Sequence, residues 1–129
     1  MLDQCKWIYR AWRYRLRVER PEIRFVRESL QRGDVAIDIG AHKGAFTYWM
    51  AQRVGAAGQV FAFEPQPILA DRLQRLTQSL PNVRIENQGL SSQSGELTLH
   101  VPCGGVSPGA TFESMKDNAE HDHYRVGVT

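Results

Sequence analysis

Residues 35–44, Val-Ala-Ile-Asp-Ile-Gly-Ala-His-Lys-Gly, constrain what this chain can fold into more than any other stretch. A short apolar run carries an acid near its end, a glycine follows two positions later, and a second glycine opens an amphipathic segment. That order outlines a buried strand, a tight turn and a helix N-terminus, the arrangement with which α/β proteins hold nucleotide-like ligands. Gly40 can take backbone angles closed to other residues and lets a ligand come against the chain. Gly44 lets a helix begin close beneath that ligand, where the N–H groups of Ala45, Phe46 and Thr47 offer partial positive charge to a carboxylate or phosphate. There is no G-x-G-x-x-G, and Gly44 is not followed by the Lys-Ser/Thr of a P-loop, so dinucleotides and nucleoside triphosphates are disfavoured.

The flanking pattern extends this unit. Val35–Ile39 reads as strand one, apolar apart from Asp38, as in a strand covered on both faces. Ala45–Val54 reads as a helix with Phe46, Trp49, Met50 and Val54 toward a core. Strand two is expected over residues 60–63, ending at Glu64-Pro65. A second helix is expected over 66–79, with Ile68, Leu69, Leu73, Leu76 and Leu80 on one face, and strand three over 83–87. Strand, helix, strand, helix, strand at short intervals predicts parallel βαβ units and an α/β fold. Beyond Gly89 the pattern changes. Residues 96–101 alternate as a half-exposed strand should, 102–109 form a Gly- and Pro-rich loop, 111–123 are polar, and 124–129 begin another strand.

Upstream lies a different composition. Residues 1–32 hold nine basic side chains against four acidic ones, although the whole chain carries only +2. Trp7, Ile8, Trp12 and Leu16 fall at roughly helical spacing, with Arg10, Arg13 and Arg17 on the other side. Residues 1–18 suit a helix packed over the domain or another subunit. They also suit a basic amphipathic helix on anionic lipid or an acidic protein partner, or aromatic stacking on nucleic acid. A helix from Pro21 to Gln31, with Ile23, Phe25, Val26 and Leu30 as its apolar residues, follows and is closed by Gly33. The expected division is therefore an N-terminal basic and aromatic helical segment, 1–32, and a ligand-binding domain, 33–129.

At 129 residues the chain is one domain at most, with 42% hydrophobic and 23% charged residues. It has no run of the ~18 apolar residues needed for a membrane span and no apolar core of a secretory signal. Cys5 and Cys103 match no metal or redox spacing and are expected as reduced thiols, which points to a cytoplasmic protein.

Glu64 closes strand two, twenty positions beyond Gly44, where a carboxylate can accept both hydroxyls of a ribose. Residues 87–90, Asn-Gln-Gly-Leu, end strand three where backbone and amide groups can read an adenine edge. Asp38, at a buried strand end, is expected to accept hydrogen bonds from the glycine turn and fix it. Lys43 is expected exposed, and His121-Asp122-His123 is expected as a solvated loop, with no metal site.

Three runs together carry a family resemblance: residues 38–44, Asp-Ile-Gly-Ala-His-Lys-Gly; 61–65, Phe-Ala-Phe-Glu-Pro; and 87–91, Asn-Gln-Gly-Leu-Ser, with a following Gly95-Glu-Leu-Thr-Leu strand. Over residues 34–111 the sequence resembles the FkbM-type family of S-adenosylmethionine-dependent methyltransferases. The resemblance implies a class I methyltransferase (Rossmann-like) fold, a parallel sheet with flanking helices, and S-adenosyl-L-methionine as cofactor. It implies methyl transfer to a hydroxyl on a sugar or polyketide-type small molecule, with no nucleic-acid partner. By that resemblance Asp38, Gly40, Ala41, His42 and Gly44 frame the methionine end of the cofactor, Glu64 and Pro65 its ribose, and Asn87, Gly89 and Leu90 its adenine. His42 stands where the family usually has asparagine. No residue is assigned as catalytic base.

Family members continue into a Leu-Asp step and a strand ending in Asp-x-Glu-Gly, so this sheet is expected to stop before its later strands and leave strand one as an edge. The chain is then expected to be the N-terminal part of the family domain, as a fragment, a truncated product or half of an assembly such as a homo-oligomer. A non-catalytic nucleoside- or partner-binding module with the same fold is the competing expectation.

Overall fold

A computed structural model describes residues 1–18, 20–103, 110–112 and 121–129, except for the side chains of Val18 and Arg20. The loop expected at 102–109 and the polar segment expected at 111–123 lie largely outside these residues. In chain order the elements are α1 (Leu2–Arg13), a π-helical turn (Tyr14–Val18), α2 (Arg20–Ser29), β1 (Val35–Ile39), α3 (Ala45–Val54), β2 (Gln59–Phe63), α4 (Pro67–Leu76), β3 (Val83–Glu86), β4 (Gly95–Pro102) and β5 (His121–Val128).

Strands β1, β2 and β3 form a parallel sheet in that order, with Ile37 opposite Phe61 and Phe61 opposite Arg84. The crossovers are α3 and α4, as the alternating pattern predicts. α3 begins at Gly44, whose φ is +74°, and ends at Gly55, φ +65°. Its buried residues Ala51 and Val54 meet Ala36 of β1 and Val60 of β2. α4 buries Leu69, Ala70, Leu73 and Leu76, and Leu73 packs with Ala41 and Ala62. Ile68 does not join that face: it is exposed, because Ala70 takes the inward position.

One expectation fails on β1. Ala36 and Asp38 are buried, but Val35, Ile37 and Ile39 are 65%, 56% and 68% exposed. β1 hydrogen-bonds to β2 alone among the described residues, and α3 packs on the opposite face of the sheet. The strand is therefore covered on one face only, and the run reads as continuously apolar without being enclosed.

Residues 1–18 pack over the domain. Trp7 and Ala11 are buried along one stripe of α1, whereas Ile8, Trp12 and Leu16 stay partly exposed. Trp49 Nε1 donates to the Ala11 carbonyl at 2.9 Å, and Trp12 meets Trp49 edge-to-face at 5.1 Å between centroids. Arg15 sits over both tryptophan rings, 4.8 and 5.1 Å from their centroids, a cation–π arrangement. On α2, Ile23 and Val26 complete this cluster, while Phe25 points outward and is 69% exposed.

β4 and β5 form a separate antiparallel ribbon. It joins the first sheet's side of the molecule through Gly89, whose N–H donates to the Gly127 carbonyl and whose carbonyl accepts from Thr129. His121, Asp122 and His123 belong to β5 rather than to a loop, with His123 edge-on to His100 at 4.8 Å. Both cysteines are unbridged and exposed. Among the described residues, no helix is long and apolar enough to cross a membrane, and no group of three His, Cys, Asp or Glu residues is placed to hold a metal ion.

Candidate functional site

The carboxyl ends of β1 and β2 converge on a cavity of about 480 Å³. That size falls in the range of small-molecule sites. Its walls include Gly40, Ala41, His42, Glu64 and Pro65, five of the residues the sequence singles out, together with Tyr14, Lys43, Phe46 and Ala110.

The turn after β1 is pinned before any ligand arrives. The N–H groups of Gly40 and Ala41 both donate to the Phe63 carbonyl, at 2.9 and 3.0 Å, and the Gly44 N–H donates to Ala41 at 2.7 Å. Gly40, His42 and Gly44 all have positive φ, of 73°, 50° and 74°. His42 is the non-glycine residue with this conformation among the described residues, a geometry that asparagine and histidine tolerate better than most. At Gly44 a side chain has no room: a Cβ would lie 2.5 Å from Leu73 Cδ2 and 3.0 Å from Trp7 Nε1. Trp7 Nε1 itself donates to the Gly44 carbonyl at 3.1 Å, so α1 grips the start of α3.

Glu64 ties the two strand ends together. Its Oε2 accepts the backbone N–H of His42 at 2.6 Å, and its Oε1 accepts that of Gln66 at 2.9 Å. With 2% of its surface exposed, the carboxyl is pushed above the usual carboxylate range by burial. The Gln66 and His42 hydrogen bonds pull the other way, and the Asp38 charge adds a little to the rise. Each oxygen keeps a lone pair beyond its backbone bond, which leaves Glu64 able to accept hydroxyls from the cavity side.

Asp38 lies behind the turn. It is buried, its Oδ2 accepts the Thr47 hydroxyl at 2.5 Å, and burial raises its pKa against the hydrogen bonds from Thr47. It therefore braces the first turn of α3, and its partner is Thr47 rather than the glycine turn itself. His42 is half-buried. Its Nε2 is enclosed with no hydrogen-bond partner among the described residues, and burial, then Lys43 and Arg10, lower its pKa, which favours the uncharged ring. Lys43 is half-buried in the wall rather than exposed.

The third strand end is set differently. Asn87 Nδ2 donates to the carbonyls of Glu64 and Pro65 at 2.9 and 3.2 Å, so it fixes the loop that carries the acid. Gly89 is paired with β5, and a Cβ on it would meet the Phe112 ring at 2.7 Å. Leu90 is 41% exposed. Asp38, Gly44 and Asn87 thus brace the turn and the loop that form the wall without lining it, and Gly89 and Leu90 are not among the lining residues. Tyr14, Gln66 and Ala110 line it without having been singled out as site residues. The helical stripe through Trp7, Ala11 and Tyr14 is the sequence signal that could have found the first of these.

Residues 38–128 match the model of the methyltransferase FkbM domain. No protein of curated function matches the chain. Among solved structures, an S-adenosylmethionine-dependent methyltransferase from Aquifex aeolicus is similar at a TM-score of 0.53 and 22% identity, over 66% of this chain and 46% of its own. A candidate rRNA methylase from Clostridium thermocellum is similar at 0.50 and 22%, over 53% of this chain and 40% of its own. At that identity the likeness is one of fold. The chain spans less than half the length of either structure.

Proposed function

The chain belongs to the methyltransferase FkbM family, and from that membership we propose that it carries the cofactor site of an S-adenosylmethionine-dependent O-methyltransferase acting on a hydroxyl of a sugar or polyketide-type small molecule. Its fold is that of the class I methyltransferases, a parallel sheet with helical crossovers. The observation that carries the reading is the cavity itself. A buried carboxylate and a turn of positive-φ residues leading into a helix N-terminus stand side by side in its wall, joined by the hydrogen bond from His42 to Glu64.

The residues present fit the cofactor. Glu64 receives the ribose hydroxyls, each a charge-assisted bond of about 1.5–3 kcal/mol. The Thr47 N–H is taken by Asp38, so the N–H groups of Ala45 and Phe46, which line the cavity, are the ones that would meet the methionine carboxylate. Bound there, S-adenosylmethionine supplies an electrophilic methyl group on a sulfonium. The chain's part is to hold that group still, to exclude water behind the turn, and to leave an approach for the acceptor oxygen in line at about 3 Å. His42 also lines this cavity, and its lowered pKa disfavours a positive charge there.

Isothermal titration of the chain with S-adenosylmethionine tests the proposal. Saturable one-to-one binding that falls at least about tenfold in Glu64→Ala is the expected result. Binding indifferent to Glu64 would remove the assigned ribose contact, and absence of binding by the unsubstituted chain would overturn the reading.

A further inference from the structure

We infer that Tyr14 is a ligand-contacting residue of this site, its ring lying against the sulfonium of bound S-adenosylmethionine. The inference rests on the function proposed above. Tyr14 shares the cavity wall with Gly40, His42, Phe46 and Glu64. It comes from outside the family-matched residues 38–128, so it is a contribution of the N-terminal segment rather than of the cofactor-binding unit.

The segment is held firmly enough to place a ring. Trp7, Ala11 and Tyr14, spaced by four and then three, occupy one stripe of helix. The first two are buried. Trp7 donates to the Gly44 carbonyl at 3.1 Å, and the Ala11 carbonyl accepts from Trp49 at 2.9 Å. Two buried hydrogen bonds therefore fasten α1 to the turn and to α3, one and two helical turns before Tyr14. At Tyr14 the helix widens into a π-helical turn, Tyr14–Val18. Such widenings cost regular hydrogen bonding and recur where a side chain is set for function.

The chemistry selects the contact. The electron-rich face of a phenol attracts a cation within about 6 Å of its centroid. Tyr14 shares the cavity wall with the turn, the first residues of α3 and the end of β2, and none of the third strand end enters it, so the cavity lies on the methionine and ribose side of the expected adenine position. A ring on that side meets the charged sulfur end of the cofactor, not its adenine.

The test uses the full chain and three ligands: S-adenosylmethionine, its neutral thioether product S-adenosylhomocysteine, and adenosine. Tyr14→Phe keeps an aromatic face, and Tyr14→Leu keeps apolar bulk without one. Tyr14→Phe is expected to hold the wild-type preference for S-adenosylmethionine over S-adenosylhomocysteine within about twofold. Tyr14→Leu is expected to lose about five- to tenfold in S-adenosylmethionine affinity, less in S-adenosylhomocysteine, and nothing in adenosine. Equal losses for all three ligands would make Tyr14 a prop of the fold, and no loss in Tyr14→Leu would remove it from the site. Either result overturns the inference while leaving the cofactor assignment standing. Failure of the unsubstituted chain to bind any of the three would overturn the cofactor assignment itself, and the inference with it.

Discussion

The backbone N–H of His42 donates to Glu64 Oε2 at 2.6 Å, so the acid that ends β2 and the turn that follows β1 form one unit. The second oxygen of Glu64 holds the Gln66 N–H at the first residue before α4. Glu64 therefore joins three segments, and its replacement reads out in stability as well as in binding. Glu64→Ala leaves two buried N–H groups without acceptors and is expected to cost about 1–3 kcal/mol in urea unfolding of the ligand-free chain. Glu64→Gln keeps one acceptor and is expected to cost less than Glu64→Ala. Equal stability of wild type and Glu64→Ala would show that the two hydrogen bonds carry nothing.

Gly40 and Gly44 separate shape from strain. Both have φ near +74°, so an alanine at either position costs about 1–2 kcal/mol of backbone energy. A Cβ on Gly40 meets nothing within 4 Å, whereas one on Gly44 collides with Leu73 and Trp7. Gly44→Ala is expected to lose about 1–3 kcal/mol more than Gly40→Ala in thermal or urea unfolding. Gly40→Ala, which puts a methyl group on the cavity wall, is expected to act on S-adenosylmethionine affinity instead. The two variants measured side by side decide it, and equal unfolding costs would refute the packing around Gly44.

What the sequence made legible follows from range. α3 runs from Ala45 to Val54 as its glycine boundaries imply, because both ends are set by residues adjacent in the chain. β1 falls at residues 35–39 for the same reason. The pairing of Glu64 with the glycine turn was legible in outline, since parallel strands bring their carboxyl ends together. Tyr14, Trp7 and Ala110 were not legible as parts or supports of the site. Each reaches it across tens of residues, and periodicity tells which face a residue occupies but not what that face meets. Ile68 shows the converse error: its place on a helix stripe suggests an inward position, which the smaller Ala70 takes instead. The open face of β1 is of this kind too, because an apolar run does not specify what covers it.

Asp38 predicts a pH dependence with a definite sign. Burial raises its pKa above the ordinary aspartate value of 3.8, and the Thr47 hydrogen bonds only partly offset this. An acid whose folded pKa is raised binds its proton more tightly in the folded state. Its favourable contribution is complete below the ordinary value and is lost as pH rises through the higher folded value. Asp38→Asn keeps an acceptor for the Thr47 hydroxyl and removes the titration. Urea unfolding followed by tryptophan fluorescence should therefore show the stability of wild type relative to Asp38→Asn declining as pH is raised from 3 toward neutrality. A constant difference across that interval would refute the burial of a charged Asp38.

The open face of β1 predicts behaviour at high concentration. Val35, Ile37 and Ile39 project from one side of β1, which among the described residues is an edge strand, beside the half-buried Phe61 and Phe63 of β2 in register. Removing apolar surface from water is worth about 25 cal/mol per Å², and an apolar edge also offers unpaired backbone groups to a neighbour. The ligand-free chain is accordingly expected to self-associate as concentration rises. Ile37→Lys places a charge in the middle of this face, on a side chain already 56% exposed, so its cost to folding is expected to stay within about 0.5 kcal/mol. Light scattering coupled to size-exclusion chromatography should show less association for Ile37→Lys than for the unsubstituted chain. S-adenosylmethionine affinity should not change, because Ile37 lies on the opposite face of the sheet from α3 and outside the cavity wall. Association that is the same in both proteins would place the contact elsewhere, and the exposed tryptophan and arginine surface of α1 would be the next surface to substitute.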